Sequence, residues 1–247
     1  MRLTRLFVQM ALAPDSTVEL PADTAAHMVR VLRARSGDAL ILFNGDGCEY
    51  VGSIDAIRGT RVSVTLTQGG AVDRESPLQV VLVQAIPRGD RMDFVIQKAT
   101  ELGVARIVPV LSARSVVRLN ESQYESKLDH WRGVATSACE QCGRNRIPNI
   151  DTPLELLNHL GEPSGIAQRW MLDPESQSTA RTREPFTEVE VTIGPEGGFS
   201  PEELDAMRIA GLQGIRLGPR VLRTETAALA ALTFLQTRFG DMNPIPA

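Results

Sequence analysis

The feature that most constrains this chain of 247 residues is an apolar segment, an amphipathic segment and a second apolar segment in direct succession. Leu78 to Ile86 is a mainly apolar run, which is typical of a strand buried on both faces of a parallel sheet. Asp90 to Leu102 carries an apolar stripe at helical spacing, and Gly103 ends this predicted helix. Val104 to Leu111 follows as a second strand. The order strand–helix–strand predicts an α/β domain with a mostly parallel sheet.

The same alternation continues to the end of the chain. The pattern predicts a long helix over Gln123 to Gln141, strands over Trp170 to Leu172 and Val189 to Ile193, a short strand over Ile215 to Leu217, and a last apolar helix that ends near Phe239. These elements extend the predicted parallel sheet.

The first seventy residues have the pattern of a small β domain. Its predicted strands are Leu3 to Val8, Ala39 to Phe43, Glu49 to Ile57 and a further strand with Val62, Val64 and Leu66 on one face. A helix over Ala22 to Arg33 interrupts them, with Asp23 or Thr24 as its cap. Thr67 to Pro77, rich in Gly, Ser and charge, is the predicted linker. We therefore expect one domain over residues 1–72 and another over residues 73–247.

Composition and charge exclude several classes of protein. The chain is 43% hydrophobic, with charges of both signs mixed along it, which excludes a disordered protein. The net charge of −4 argues against a general nucleic-acid coat protein but leaves room for a local basic surface. The apolar run from Thr226 to Leu235 is too short to cross a membrane. The first residues fit a strand better than a signal peptide, so we expect a cytoplasmic protein.

A C-x-x-C pair, Cys139 and Cys142, raises the alternatives of a redox or zinc site. Zinc needs four ligands, and no second Cys or His pair stands at ligand spacing. The pair also falls near the end of a predicted helix, whereas redox pairs are activated at a helix start. We expect reduced thiols and no metal.

The first loop with chemical potential is Gly194 to Phe199, between a predicted strand and a predicted helix. Ser200 as N-cap, Pro201 at the first helical position and Glu203 two residues later form a capping box. The glycine spacing matches neither the dinucleotide fingerprint nor the phosphate loop of nucleotide-binding proteins. By spacing alone, a tight turn and a loop that binds an uncharged part of a ligand are equally good interpretations.

The second loop is Gly218 to Ala227, which leads into the last helix. Thr224 can cap that helix, and Glu225 can complement its dipole. Neither role explains Arg220 and Arg223, since positive charge at a helix N-terminus is unfavourable. The two arginines favour a functional interpretation.

Together the loops read IGPEGGFS over 193–200 and LGPRVLRTETA over 217–227. This pair closely resembles the signature of the bacterial 16S ribosomal RNA (uracil-N3) methyltransferases of the SPOUT superfamily. The resemblance continues in order through HMVRVLR (27–33), FNGDG (43–47), RGDRMDFVIQKATELGV (88–104), ARS (113–115) and CEQCGR (139–144). Cys139 departs from the pattern, because small residues such as Ala are more usual there.

The resemblance implies a PUA-like β-barrel domain for RNA, followed by an α/β domain with a deep trefoil knot. It also implies a homodimer that uses S-adenosylmethionine. The residues that it places around this cofactor are Leu172, Ile193, Gly194, Pro195, Glu196, Gly197, Gly198, Leu217, Gly218, Val221, Leu222 and Thr224. The implied reaction is methylation of N3 of one uridine in the decoding region of 16S ribosomal RNA, within the small subunit.

For this reaction we predict that Arg223 stabilises the uracil anion, because a guanidinium is a fixed donor that is always charged. Glu225 is the predicted proton acceptor or the residue that orients Arg223, with Glu101, Glu140 and water as alternatives. The residues predicted to bind RNA are Arg5, Arg30, Arg33, Lys98, Arg114, Gln141 and Arg144. For each one singly, an exposed charge or a surface ion pair is an equally good interpretation.

Three rival functions remain open at this point. A ribosome-assembly factor could keep the fold and lose catalysis, although the intact loops argue against that. An oxidoreductase with an unknotted nucleotide-binding domain lacks its phosphate fingerprint. Within the superfamily, ribose 2′-O methylation is the reaction most easily confused with methylation of uracil N3.

Overall fold

The computed structural model describes residues 3–117, 120–177 and 186–243. Internal contacts divide the chain into two compact units. The first comprises Met1–Glu75 with Thr136–Ile147, and the second comprises Ser76–Ala135 with Pro148–Ala247. Sequence places residues 136–147 in the second domain, whereas their contacts group them with the first unit.

The first unit is built on a sheet with the strand order β1-β3-β4-β5-β2, in which β1 and β3 are parallel and the other pairs are antiparallel. Its strands are β1 (Thr4–Phe7), β2 (Ser16–Glu19), β3 (Ala39–Phe43), β4 (Cys48–Arg58) and β5 (Arg61–Ala71). Val62, Val64 and Leu66 are fully buried, as their period of two predicts. Helix α1 (Ala22–Arg30) supplies Ala25 and Met28 to the same core.

Three details of the first unit differ from expectation. Helix α1 stops at Arg30, three residues before its predicted end, because Arg33 adopts the left-handed conformation at φ 52°. Its N-cap is Pro21, and no side chain of the described part of the chain caps it, so the prediction of Asp23 or Thr24 is wrong. Strand β5 also continues to Ala71, which leaves the linker shorter than Thr67 to Pro77.

The second unit has the predicted parallel sheet. Within the described residues its strand order is β12-β10-β11-β6-β7-β8, with β9 also on β7, and every pair is parallel. The strands are β6 (Gln79–Ala85), β7 (Arg106–Leu111), β8 (Asn149–Ile150), β9 (Leu154–Glu155), β10 (Arg169–Leu172), β11 (Glu188–Ile193) and β12 (Gln213–Ile215).

The helices of the second unit follow the predicted pattern, except for one short helix over Leu156–Gly161 that was not predicted. They are α2 (Arg91–Glu101), α4 (Leu156–Gly161), α5 (Pro201–Ile209) and α6 (Thr224–Phe239), and α3 (Glu121–Cys142) begins here and ends among the residues of the first unit. Helix α2 buries the predicted stripe of Met92, Val95, Ile96 and Ala99. A search of the described residues finds no helix with the length and apolarity to span a bilayer.

Candidate active site

A cavity of about 730 Å³ lies where three neighbouring strands of the second unit end. Strands β12, β10 and β11 are adjacent and parallel, so their carboxyl ends meet at one edge of the sheet. The loops that follow them, at 173–175, 194–199 and 216–223, form most of the cavity wall. Carboxyl ends of parallel strands are where α/β folds bind ligands, and the volume suits a small molecule.

The glycine-rich loop after β11 is compact and tightly packed. The N–H of Gly198 donates to the carbonyl of Pro195 at 2.9 Å. A methyl group added at Gly194 would lie 3.2 Å from the ring of Phe199, and one at Gly197 would lie 3.2 Å from Cβ of Arg114. Larger residues at these two positions would therefore collide with neighbouring side chains. The predicted capping box of Ser200 and Glu203 is present and fixes the point at which the loop ends and α5 begins.

Glu203 does more than cap α5. It is buried, and its carboxylate accepts the hydroxyl of Ser112 at 3.1 Å and the N–H of Ala113 at 2.8 Å, besides the N–H of Ser200 at 2.8 Å. The capping carboxylate thus joins the end of β7 to the start of α5. Sequence identified the cap but carried no signal for the contact with residues 112–113.

A hydrogen-bond chain joins the two predicted loops. Thr224 donates from its hydroxyl to the carbonyl of Gly194 at 2.7 Å, and the fully buried Gln84 donates from Nε2 to the same hydroxyl at 3.0 Å. The N-cap of α6 is Arg223, so the prediction of Thr224 as N-cap is wrong. Thr224 is the first residue of the helix, and its side chain ties that helix to the glycine loop.

One arginine stands between two carboxylates of the site. Arg91 donates from Nη1 to Oε1 of Glu196 at 2.7 Å, and its Nε lies 3.9 Å from Oε1 of Glu225. Burial acts to raise the pKa of Glu196, but its own backbone N–H, the N–H of Arg88 and the charge of Arg91 outweigh this and lower that pKa. Glu196 is therefore an ionised partner of Arg91. Neither Arg91 nor Gln84 was identified from the sequence.

Most of the residues predicted for the cofactor line this cavity. They are Leu172, Ile193, Gly194, Pro195, Glu196, Gly198, Leu217, Val221, Leu222 and Thr224. Gly197 and Gly218 belong to the same two loops without lining it, and Gly218 has φ 74°. The exposed Arg223 and Arg220 line the cavity, whereas Glu225 does not line it and stands in sequence between two residues that do, Thr224 and Ala227.

Two arginines predicted to bind RNA are buried inside the first unit. The Arg5 guanidinium pairs with Glu49, donates to Oδ1 of Asn145 at 2.7 Å and lies 5.0 Å from the centre of the Phe43 ring. Arg144 donates to Glu75 at 2.6 Å and is 8% exposed at its side chain. These ion pairs give both arginines a structural role and leave little of either guanidinium for a phosphate.

The other predicted RNA-binding residues reach the surface. Arg30, Arg33, Arg114 and Gln141 are exposed, and Lys98 is partly exposed and paired with Glu101 at 2.8 Å. Arg114 also donates to the carbonyl of Gly197 at 3.2 Å, so it stands at the cavity.

The first thiol of the cysteine pair has the features of an unreactive group. Cys139 is buried, and burial raises its pKa to about 12, which leaves almost no thiolate near neutrality. Both cysteines are free. Across the described ranges, no group of three or more His, Cys, Asp or Glu residues is arranged to hold a metal ion.

Comparison with known proteins gives the family. Residues 74–236 match the family model of an RNA methyltransferase domain, and residues 20–67 match that of an RNA methyltransferase PUA domain. A ribosomal RNA small subunit methyltransferase E from Buchnera aphidicola is 32% identical over 98% of this chain and 99% of its own. This chain belongs to the small subunit methyltransferase E family. The membership confirms the family resemblance and the coarse fold, an α/β unit with a PUA-like domain before it.

Two solved structures of methyltransferases share this fold over 98% of the chain. A methyltransferase from Legionella pneumophila, in complex with S-adenosylmethionine, is 39% identical, with a TM-score of 0.94 over 98% of this chain and 100% of the other. A small subunit methyltransferase E from Neisseria gonorrhoeae, also bound to S-adenosylmethionine, is 33% identical, with a TM-score of 0.91 and the same coverage.

Proposed function

We propose that this protein transfers a methyl group from S-adenosylmethionine to N3 of one uridine in 16S ribosomal RNA, giving 3-methyluridine in the decoding region of the small subunit. The observation that carries the proposal is the cavity, where a loop of closely packed glycines meets a loop with two exposed arginines. The glycine loop suits an uncharged part of a ligand, and the arginine loop suits a substrate that develops negative charge.

The residues of the cavity fit the proposed cofactor. S-adenosylmethionine has no phosphate, and Ile215, Leu217 and Leu222 give the wall an apolar side against which an adenine can pack. Asp173 and Glu175 line the same cavity and can pair with its positive charges. When bound, the cofactor supplies an electrophilic methyl group on a sulfonium. The fixed loops supply position, which accounts for much of the rate of a direct displacement.

Uracil becomes a nucleophile at N3 only when the N3 proton leaves. The negative charge then spreads to the two flanking carbonyl oxygens, and a fixed cationic donor stabilises it. Arg223 lines the cavity, and its guanidinium is exposed to an incoming base. We assign Arg223 to this role.

Glu225 is the proposed acceptor of the N3 proton. The N–H bond breaks, the proton passes to the carboxylate, and the electron pair left on N3 forms the bond to the methyl carbon as the carbon–sulfur bond breaks. We choose Glu225 among the three candidate carboxylates because it directly follows Arg223 and Thr224, which line the cavity. Glu101 is paired with Lys98 at 2.8 Å, and Glu140 accepts the N–H of Phe7 at 3.0 Å.

For the RNA we propose contacts from the exposed members of the predicted set: Arg30, Arg33, Lys98, Arg114 and Gln141. Arg33 supports this best, because it is held exposed in a left-handed conformation that costs an ordinary residue about 1–2 kcal/mol. The conformation itself belongs to the end of α1, where Gly or Asn is the usual residue, so the choice of Arg there favours a role for its charge. The target base must leave its pairing partner, since N3 is hidden in a Watson–Crick pair.

The family resemblance supports further parts of the proposal. Residues 1–72 would form the RNA-binding domain and residues 73–247 the methyltransferase domain, with a trefoil knot around the cofactor loops. The working form would be a homodimer, acting in the cytoplasm on the assembled small subunit or a late precursor.

Reverse transcription tests the position of the methyl group. A methyl group on N3 blocks the Watson–Crick face, so primer extension on 16S ribosomal RNA should stop beside one uridine. We expect the stop to be absent from subunits of a strain lacking this gene, and to appear after treatment with purified protein and S-adenosylmethionine. Binding of the subunit without any stop would favour an assembly factor, and a ribose 2′-O-methyl group would be detected only at low nucleotide concentration.

The same assay tests Arg223. Arg223→Ala should still bind S-adenosylmethionine but should turn over more slowly by about 100-fold or more, the usual cost of losing one such donor. Near-normal turnover with the cofactor bound would show that Arg223 does not stabilise the anion.

A further inference from the structure

Helix α2 presents its first residue, Arg91, to the loops on which the proposed chemistry depends. The Arg91 guanidinium donates to Glu196 of the glycine loop at 2.7 Å and faces Glu225 of α6 at 3.9 Å. Glu196 is further fixed by the N–H of Arg88 at 3.2 Å, so this side of Arg91 has a firm anchor. A single side chain thus connects two elements that are more than twenty residues apart in sequence.

The Glu225 carboxylate has little else to hold it. Its Oε2 is buried and has no hydrogen-bond partner among the described residues. The side chain as a whole is 15% exposed, and its Oε1 is the oxygen that faces Arg91. A carboxylate with so few donors around it depends on a nearby positive charge to stay in place.

We propose that Arg91 is a positioning residue for Glu225: anchored on Glu196, its guanidinium holds the Glu225 carboxylate in the orientation that accepts the uridine proton. The inference rests on the proposed function, because it gives Glu225 the role of proton acceptor. It also explains why an arginine begins α2, where a positive charge is disfavoured by the helix dipole.

A double-mutant cycle with Arg91→Ala and Glu225→Gln tests whether Arg91 acts through Glu225. Single-turnover rates on small subunits, at saturating S-adenosylmethionine, isolate the chemical step. We expect Arg91→Ala to lower the rate at least tenfold in the native protein, which is part of the roughly 100- to 10,000-fold that a positioned base contributes. The same substitution should lower the rate less than threefold in the Glu225→Gln protein, a coupling of the size expected for contacting residues.

Two further variants separate positioning from a merely structural role. Arg91→Lys keeps a charge near both carboxylates and should recover a large part of the lost rate, while the Kd for S-adenosylmethionine stays within threefold of native. Arg132→Ala removes another exposed arginine that is paired with a carboxylate, Asp129 at 3.5 Å, and should leave the rate unchanged.

The inference is overturned if Arg91→Ala costs the same factor in both backgrounds, or if Glu225→Gln leaves the rate unaltered. In either case the native protein still yields 3-methyluridine, so the proposed function survives. If the native protein yields no methylated uridine, the proposed function itself fails.

Discussion

The hydroxyl of Thr224 donates a hydrogen bond of 2.7 Å to the carbonyl oxygen of Gly194, across thirty residues of sequence. The same hydroxyl accepts from the fully buried Gln84 at 3.0 Å. One small side chain therefore holds the start of α6, the glycine loop and the end of β6 together. Because the cavity walls are these loops, we expect the hydrogen-bond chain to set their geometry before any ligand arrives.

Removing the Thr224 hydroxyl should affect stability and ligand binding together. Thr224→Val leaves the Gly194 carbonyl without its donor, so we expect the free energy of unfolding to fall by about 1–3 kcal/mol. Titration calorimetry should show weaker binding of S-adenosylmethionine by about tenfold, equivalent to about 1.4 kcal/mol. Thr224→Ser keeps the hydroxyl and is the matched control. Equal affinities for the native and Val proteins would show that the hydrogen bond does not shape the cavity.

Among substitutions outside the proposed catalytic residues, Glu203→Ala should lower the free energy of unfolding more than most. It leaves the N–H of the buried Ser200 and that of Ala113 without their acceptor, and hydrogen bonds to charged groups are worth about 1.5–3 kcal/mol each. We expect urea unfolding to shift to clearly lower concentration. Glu202→Ala, on the exposed side of the same helical turn, should scarcely move it. Similar midpoints for the two variants would refute the role of Glu203 as a cross-link.

Glu190, a buried carboxylate on β11, should make the stability of the protein depend on pH. Burial acts to raise the pKa of Glu190, but His159 and Arg169 outweigh it and hold that pKa below its ordinary value of 4.5. The contribution of ionised Glu190 to the free energy of unfolding is therefore present above about pH 4.5. It is lost as the pH falls through the lower pKa that Glu190 has in the folded state. The Glu190→Gln protein should be less stable than the native protein near pH 7. The difference between their free energies of unfolding should become smaller below about pH 4. A difference that is constant over this range in urea unfolding would contradict the assignment.

Arg33→Asn should separate folding from RNA binding. Asn tolerates the left-handed conformation at φ 52° better than Arg, so the melting temperature should stay level or rise. Loss of one phosphate contact should at the same time lower the slope of log affinity against log salt by about 0.7 for single-stranded RNA. Arg33→Lys keeps the charge and should keep the slope. An unaltered slope in the Asn variant would remove Arg33 from the RNA surface.

Local patterns predicted the architecture of the second unit well, because the signals for its elements lie within a few residues. The capping box before α5 and the apolar runs of β6 and β11 are complete in the sequence and present in the structure.

Short elements of both units were not predicted. Strand β2 of the first unit was missed because its four residues, STVE, alternate without burying a large side chain. Helix α4 and the two-residue strands β8 and β9 were missed because each is too short to show a period.

The site was harder to predict than the fold because its decisive contacts are remote. The burial of Arg5 depends on Glu49 and on residues 143–145, and that of Arg144 depends on Glu75, sixty-nine residues away. From its neighbours in sequence alone, any arginine is predicted to be exposed. No local pattern could therefore distinguish the buried Arg5 and Arg144 from the exposed Arg30 and Arg33. The contact of Arg91 with Glu196 spans 105 residues and is likewise invisible to spacing.

Nucleoside mass spectrometry of the reaction product tests the central claim most directly. Small subunits from a strain lacking this gene would be incubated with the purified protein and S-adenosylmethionine, and their 16S ribosomal RNA digested to nucleosides. The account predicts that 3-methyluridine, absent before the reaction, rises to about one per RNA molecule, and that Arg223→Ala produces far less in the same time. A different methylated nucleoside, or no new one with the cofactor bound, would contradict it.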